Sequence, residues 1–388
     1  MGRSFVAKRF SGGGEKLSLD TDALSRFDDV IDLSIGDTDI VTDSAIIEKA
    51  FADAKAGYTR YGNPKGDPEL IDAVLRAWEE DFGEKLTEDR LIITPSSVFG
   101  MAAALSAVTD PGDEVLVLAP YFTPYRTQAE FAGAVVKEVP LYPEEGYRIS
   151  EERLEEYITD KTKIIIFNNP VNPTGASYNA SEMMALRNVA VRHDLLVVAD
   201  EIYTFYMYDG EYTPIRMLPG MAERTVTLNS FSKNFLMTGW RLGYIIAEPD
   251  IIEAIGSVCD FWIYTSPSIS QRAAIKALEI RREVEKKYIP IYRDRVMYSA
   301  DRISKIPYMD LVRPGGTFYL FPSVKRTGLS SKEFTDLLFE KCHVTAVGGH
   351  LFGACGEGSF RIACTVPMEK LAEAFDRMEK LGEELKYS

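Results

Sequence analysis

The chain has 388 residues, 46% hydrophobic and 27% charged, with 44 Lys and Arg against 59 Asp and Glu for a net charge of −15. This composition belongs to a folded protein with room for two or three domain-sized units, and it excludes a disordered tail or a fibre. A surface this acidic repels phosphate backbones, so nucleic acid is not an expected partner, and no apolar run reaches the roughly 18 residues of a membrane span.

Residues 1–20 include Ser11-Gly-Gly-Gly14 with no strand before the glycines, and read as a mobile arm rather than a phosphate loop. The start lacks the apolar stretch of a signal peptide, and Cys259, Cys342, Cys355 and Cys364 show no Cys-x-x-Cys spacing. Both features point to a reducing, cytoplasmic setting. From residue 44 a regular alternation begins. Ser44 caps a helix to about residue 55, and Pro68 opens another over 69–82. Strand candidates then fall at 91–94, 114–119, 135–139, 163–168, 195–200, 225–229 and 242–247, separated by helical stretches. This predicts an α/β fold in which a mostly parallel sheet of the seven-stranded type is sandwiched by helices. After residue 286 the texture changes. A long charged helix over about 284–304 leads to Gly315-Gly-Thr-Phe-Tyr-Leu-Phe321, a helix, two short strands and a last helix from Pro367. The expected division is an N-terminal segment, 1–45, joining a small C-terminal α+β domain, 286–388, with a large domain at 46–285.

Familiar catalytic signatures are mostly missing. The three histidines, His193, His343 and His350, form no metal-ligand pattern, so no metal is expected. There is no P-loop, and Gly353-Ala-Cys-Gly-Glu-Gly358 has its glycines in the wrong order for a dinucleotide fingerprint. Polar residues cluster instead at the C-terminal ends of strand candidates, where open α/β sheets bind ligands. Asn168-Asn-Pro-Val-Asn-Pro-Thr-Gly175 follows one strand, Asp200-Glu-Ile-Tyr203 the next, and Ser230-Phe-Ser-Lys233 a third, continuing to Thr238-Gly-Trp-Arg-Leu-Gly243. Each alone is an ordinary loop; three on successive strands are a pattern.

Together these motifs resemble the pyridoxal-phosphate aminotransferases of fold type I, class I/II, from Ile31-Asp-Leu-Ser-Ile-Gly36 to Phe360-Arg-Ile-Ala363. The resemblance implies an enzyme that moves an amino group from an amino acid to a 2-oxo acid with pyridoxal 5'-phosphate. Lys233 matches the lysine that carries the cofactor, a role that suits an amine able to lose its charge in a dry pocket. Asp200 matches the carboxylate that pairs with the pyridine nitrogen, and Tyr203 and Asn172 match donors to the ring oxygen. Ser230, Arg241 and the turn at Ser96, Ser97 and Val98 match the phosphate site, with Arg241 offering a bidentate fork and the turn a helix N-terminus. Ser96 stands where glycine is usual. Phe122 matches the aromatic stacked on the ring. Arg361 matches the grip on the substrate carboxylate, with Gly36 a backbone contact to the same group. Val347-Gly-Gly-His-Leu-Phe-Gly353 departs from the family's pattern at Gly348 and His350.

Tyr61 matches a tyrosine that reaches the phosphate of the neighbouring subunit, which implies a homodimer with shared active sites; Thr265 and Ser266 lie where relatives also reach across. Val98 occupies a place where some aspartate-selective relatives carry lysine, which leans the donor towards apolar or aromatic amino acids. A β-eliminating C–S lyase would use the same cofactor and nearly the same residues. A regulator that only binds the cofactor fits less well, since no DNA-binding domain is appended and the charge is acidic.

Overall fold

The computed structural model describes residues 5–7 and 25–385, so the arm expected at 1–20 lies almost wholly outside the described residues. Short β-branched runs form the strands: β1 (Ile31–Asp32), β2 (Leu91–Thr94), β3 (Glu114–Ala119), β4 (Val135–Pro140), β5 (Thr162–Asn168), β6 (Leu196–Asp200), β7 (Thr225–Ser230) and β8 (Gly243–Ile246). β9 (Tyr319–Leu320), β10 (Val344–Thr345), β11 (Val347–Gly348) and β12 (Phe360–Ala363) follow. The main sheet has seven strands in the order β2-β8-β7-β6-β5-β3-β4. Only β8 runs against its neighbours, pairing antiparallel with both β2 and β7. The mostly parallel, helix-covered sheet read from the sequence is therefore present, with strand limits moved by a residue or so.

Residue parity explains why helices cover both faces. Along β5, Ile164 and Ile166 enter one apolar cluster and Ile165 and Phe167 the other, as alternate side chains of a strand must. No face is left for water, which is the condition for parallel pairing to be stable. Register aligns the strand ends: Asn168 sits opposite Asp200, and Asp200 opposite Leu228. Polar termini of three consecutive strands thus lie side by side at one edge of a dry sheet.

The remaining strands build a second layer over that edge. β9, β12 and β11 form an antiparallel sheet, and β1 pairs in parallel with β10, Ile31 opposite Val344. The N-terminal segment is therefore hydrogen-bonded to the C-terminal part of the chain. The long helix Arg281–Ile303 begins three residues before the expected position. Gly175, at φ +69°, lets the loop after β5 meet this layer, since a Cβ there would lie 2.7 Å from the Tyr319 carbonyl. The two departures near residue 350 fit each other. A Cβ on Gly348 would lie 2.6 Å from the His350 ring, so the glycine makes room for the imidazole.

Candidate active site

At the end of β6 the Asp200 carboxylate is buried. Its Oδ2 accepts a 2.5 Å hydrogen bond from the Tyr125 hydroxyl, while Oδ1 has no partner. Burial pushes the Asp200 pKa up to about 6; Tyr125 and the Ile202 N–H oppose that shift only in part. The neighbouring Asn168 fastens the floor. Its Nδ2 donates to the Asp200 carbonyl at 2.8 Å, and its Oδ1 accepts the Asn172 N–H at 2.8 Å, folding the Asn-Pro loop back over the strand ends.

Ser230 ends β7 and caps the short helix Phe231–Asn234, its hydroxyl accepting from the Ser232 N–H and donating to the Leu242 carbonyl. That helix projects Lys233, whose amine donates to the Gly36 carbonyl. Enclosure lowers the Lys233 pKa, since the charged ammonium loses its hydration. Lys233, Asp200, Tyr203, Asn172, Phe122, Arg241, Ser96, Ser97 and Val98 all line one cavity of about 220 Å³. Ser230 is buried and stands outside that lining.

Two arginines stand here, Arg241 in the lining and Arg361, like Gly36, outside it. Arg241 takes a left-handed backbone (φ +54°) after the turn Thr238–Trp240, and its Nη1 donates to the Thr238 carbonyl at 2.7 Å. Arg361, buried on β12, donates to the Asn172 Oδ1 at 3.0 Å and to the Ser34 carbonyl at 2.7 Å, and it packs 4.5 Å over the Tyr319 ring. Its Nε is buried with no partner. Among the described residues, Lys233, Arg241 and Arg361 have no carboxylate within ion-pair distance; each holds a neutral oxygen instead.

Ser96 opens the helix Ser97–Val108 at φ +99°, a region that disfavours a side chain. This accounts for the glycine expected there. The serine's hydroxyl accepts the Phe99 N–H at 3.2 Å, which offsets part of the strain of order 1–3 kcal/mol. Tyr61 does not enter the cavity of its own chain. It is 83% exposed and meets Tyr264 edge-on at 5.4 Å. Ser266 is buried, donating to the Ile93 carbonyl.

Sequence reasoning missed Tyr125 and Tyr319. Tyr319 lies 3.4 Å from Tyr203, hydroxyl to hydroxyl, and its ring fills the space beside Gly36. Its signal was present in Gly315-Gly-Thr-Phe-Tyr, a glycine pair followed by aromatics. Tyr125 had only the weak signal of an aromatic at the start of a helix after a strand.

A family model described as "Aminotransferase class I and II" matches residues 28–378. An aspartate aminotransferase of Pyrococcus abyssi is 39% identical over 378 residues, 92% of this chain and 93% of that protein. An aromatic-amino-acid aminotransferase of Thermococcus litoralis is 37% identical over 372 residues, 92% of each. The solved structure of an aromatic aminotransferase from Pyrococcus horikoshii superimposes with a TM-score of 0.89 at 36% identity, covering 94% of this chain and 98% of that one.

The buried carboxylate gives a pH test. A pKa raised from 3.8 to about 6 means that the folded, ligand-free protein favours protonated Asp200. That contribution to stability is complete below pH 3.8 and lost as pH rises through about 6. Between pH 4.5 and 8 the ligand-free wild type should lose about 2 kcal/mol relative to Asp200→Asn. Parallel unfolding curves for the two proteins at all pH values would mean the carboxylate is not desolvated.

Proposed function

The chain belongs to the aminotransferases of class I and II, and on that premise we propose that transamination runs in the Lys233 cavity with pyridoxal 5'-phosphate bound there. The observation that carries this reading is the unpartnered Oδ1 of buried Asp200 across the cavity from a lysine held towards its neutral form. A carboxylate in that position calls for a cationic N–H donor, which a protonated pyridine ring provides. The rest of the donor set fits the same group. Arg241 and the N-terminus of the helix Ser97–Val108 suit a phosphate, with Ser230 beside them, and Tyr203 and Asn172 suit the ring oxygen. Phe122 offers a ring face. When bound, pyridoxal 5'-phosphate supplies an aldehyde that takes the amino group and a ring that draws electron density from Cα.

The side chains divide the remaining work. Arg361 grips the substrate α-carboxylate with its guanidinium, adjacent to Gly36, and so fixes which bond at Cα faces Lys233. The Lys233 Nζ, its pKa lowered by enclosure, takes the proton from Cα and holds it. Asp200, once paired, keeps its negative charge and steadies the positive charge opposite. Tyr125 keeps that carboxylate from rotating away, and Asn168 fixes the Asp200 backbone beneath it. The donor leaves as a 2-oxo acid and a second 2-oxo acid leaves as an amino acid.

Donor preference follows from Val98, an uncharged side chain 40% exposed at the cavity wall. Only Lys233 and Arg241 bring positive charge among the described residues that line the cavity, and both are assigned. An apolar or aromatic donor therefore suits the site better than aspartate. The division of labour along the chain is proposed as a large cofactor-binding unit at 46–285 and a small unit at 286–388 joined by residues up to 45, supported by the β1–β10 pairing. A second copy of the chain completes the site: Tyr61, Phe261 and Trp262 are 83, 89 and 55% exposed, an aromatic surface that water does not favour. Tyr61 would then serve the partner's phosphate. The four free thiols agree with a cytoplasmic setting.

Three measurements test these readings. Lys233→Ala should lose transamination by at least about a thousandfold together with the pH-sensitive visible absorbance, while unfolding near the wild-type temperature. Normal turnover would remove Lys233 from the mechanism. With 2-oxoglutarate as acceptor, phenylalanine or tyrosine should exceed aspartate in kcat/KM by about tenfold or more, the value of one missing charge-assisted hydrogen bond; an aspartate preference would reverse the reading of Val98. Sedimentation should give twice the chain mass, and mixing Tyr61→Phe with Arg241→Ala should restore activity in hybrid dimers. Full activity in a monomer excludes a shared site.

A further inference from the structure

The strip of chain that carries Tyr203 and Lys233 has a second face. Those two residues line the 220 Å³ cavity, whereas their neighbours Thr204, Phe205, Asn234 and Phe235 line another of about 480 Å³. The two segments are tied together. Asn234 Nδ2 donates to Thr204 Oγ1 at 2.6 Å, the Phe205 N–H donates to Asn234 Oδ1 at 3.3 Å, and the Tyr206 hydroxyl donates to the Lys233 carbonyl at 3.1 Å. Consecutive residues of two linked segments therefore face opposite cavities.

The second cavity has a distinct chemistry. Trp78 and Phe82 come from the helix Pro68–Phe82 with ring centroids 4.6 Å apart, and Tyr212 closes on Phe82 at 6.2 Å. At its rim stand Asp81, Glu211 and Glu285 against Arg281 and Arg282. Asp81 pairs with both guanidiniums, and Glu285 lies 3.3 Å from Arg282. Glu211 has no cationic partner among the described residues, so one carboxylate is left over where aromatic rings line the wall. A carboxylate and aromatic side chains in one lining favour the same kind of guest, a weakly hydrated cation, and the volume is that of a small-ligand site.

We propose that this cavity is a second binding site, for a compact organic cation of the quaternary or aromatic ammonium class, and that its occupancy is transmitted to Lys233 through Asn234. Transmission, unlike binding, rests on the assignment of Lys233 to the cofactor. The probe is phenyltrimethylammonium, which lacks an N–H and so does not condense with an aldehyde. Calorimetric titration of the holoenzyme should show saturable binding of one probe per chain, which saturating 2-oxoglutarate does not displace. Glu211→Lys, a change on the exposed rim, should weaken binding about tenfold while leaving basal transamination intact. Saturating probe should also shift the pH midpoint of the cofactor's visible band. Absence of saturable binding, displacement by 2-oxoglutarate or equal affinity in Glu211→Lys would each overturn the site. Binding with an unmoved midpoint would overturn the transmission. A holoenzyme without a visible band would count against the cofactor reading and leave the binding result standing.

Discussion

An ionised carboxylate at the end of a buried parallel strand is tolerable only when something positive stands opposite it. Desolvation costs such a group several kcal/mol, and an empty protein avoids that cost by keeping a proton on it. Asp200 is in this position: buried, one oxygen bonded to Tyr125, the other unpartnered. The sheet makes the arrangement unavoidable. With β5, β6 and β7 in register, Asn168 and Asp200 share a level, and the loops that follow must turn away over them. The same dryness that strains the carboxylate lowers the basicity of Lys233. One physical cause therefore prepares both groups, in opposite directions.

The site is also a seam. Arg361 belongs to β12 yet donates to Ser34, two residues after β1, and to Asn172 in the loop after β5. Gly175 meets the backbone of Tyr319, and Thr365 donates to the Ile35 carbonyl. Segments separated by more than 300 residues in sequence thus converge on one side chain. In the role proposed for Arg361, a substrate is held by both layers at once, so loosening either β1 or β12 should cost substrate orientation as well as stability.

How much of this was legible beforehand depended on whether the signal was local. Strand ends announced themselves because β-branched runs stop at polar residues, and Asp200, Asn172 and Lys233 each sit within a few residues of such a stop. The helix start at Ser97 was equally readable, but the φ of Ser96 was not, because a serine gives no warning of a left-handed backbone. Tyr125 escaped notice since its partner lies 75 positions away. Tyr61 was marked by its loop, yet nothing in that loop says that the side chain turns outward to meet Tyr264, far along the chain. Ser230 shows the converse, a residue singled out from its strand end whose hydroxyl is engaged by the local cap.

The three cations of the site are solvated by peptide and amide oxygens, not by anions: Lys233 by Gly36, Arg241 by Thr238, Arg361 by Ser34 and Asn172. Dipoles satisfy hydrogen-bonding capacity without cancelling charge. In a molecule of net charge −15 this leaves a small positive well within a negative field. Low-dielectric walls concentrate such a field, so dicarboxylates and phosphates are repelled by the net negative charge and drawn towards this group of cations. Added salt would screen the long-range repulsion more than the sheltered attraction, and capture of anionic ligands would then quicken as ionic strength rises.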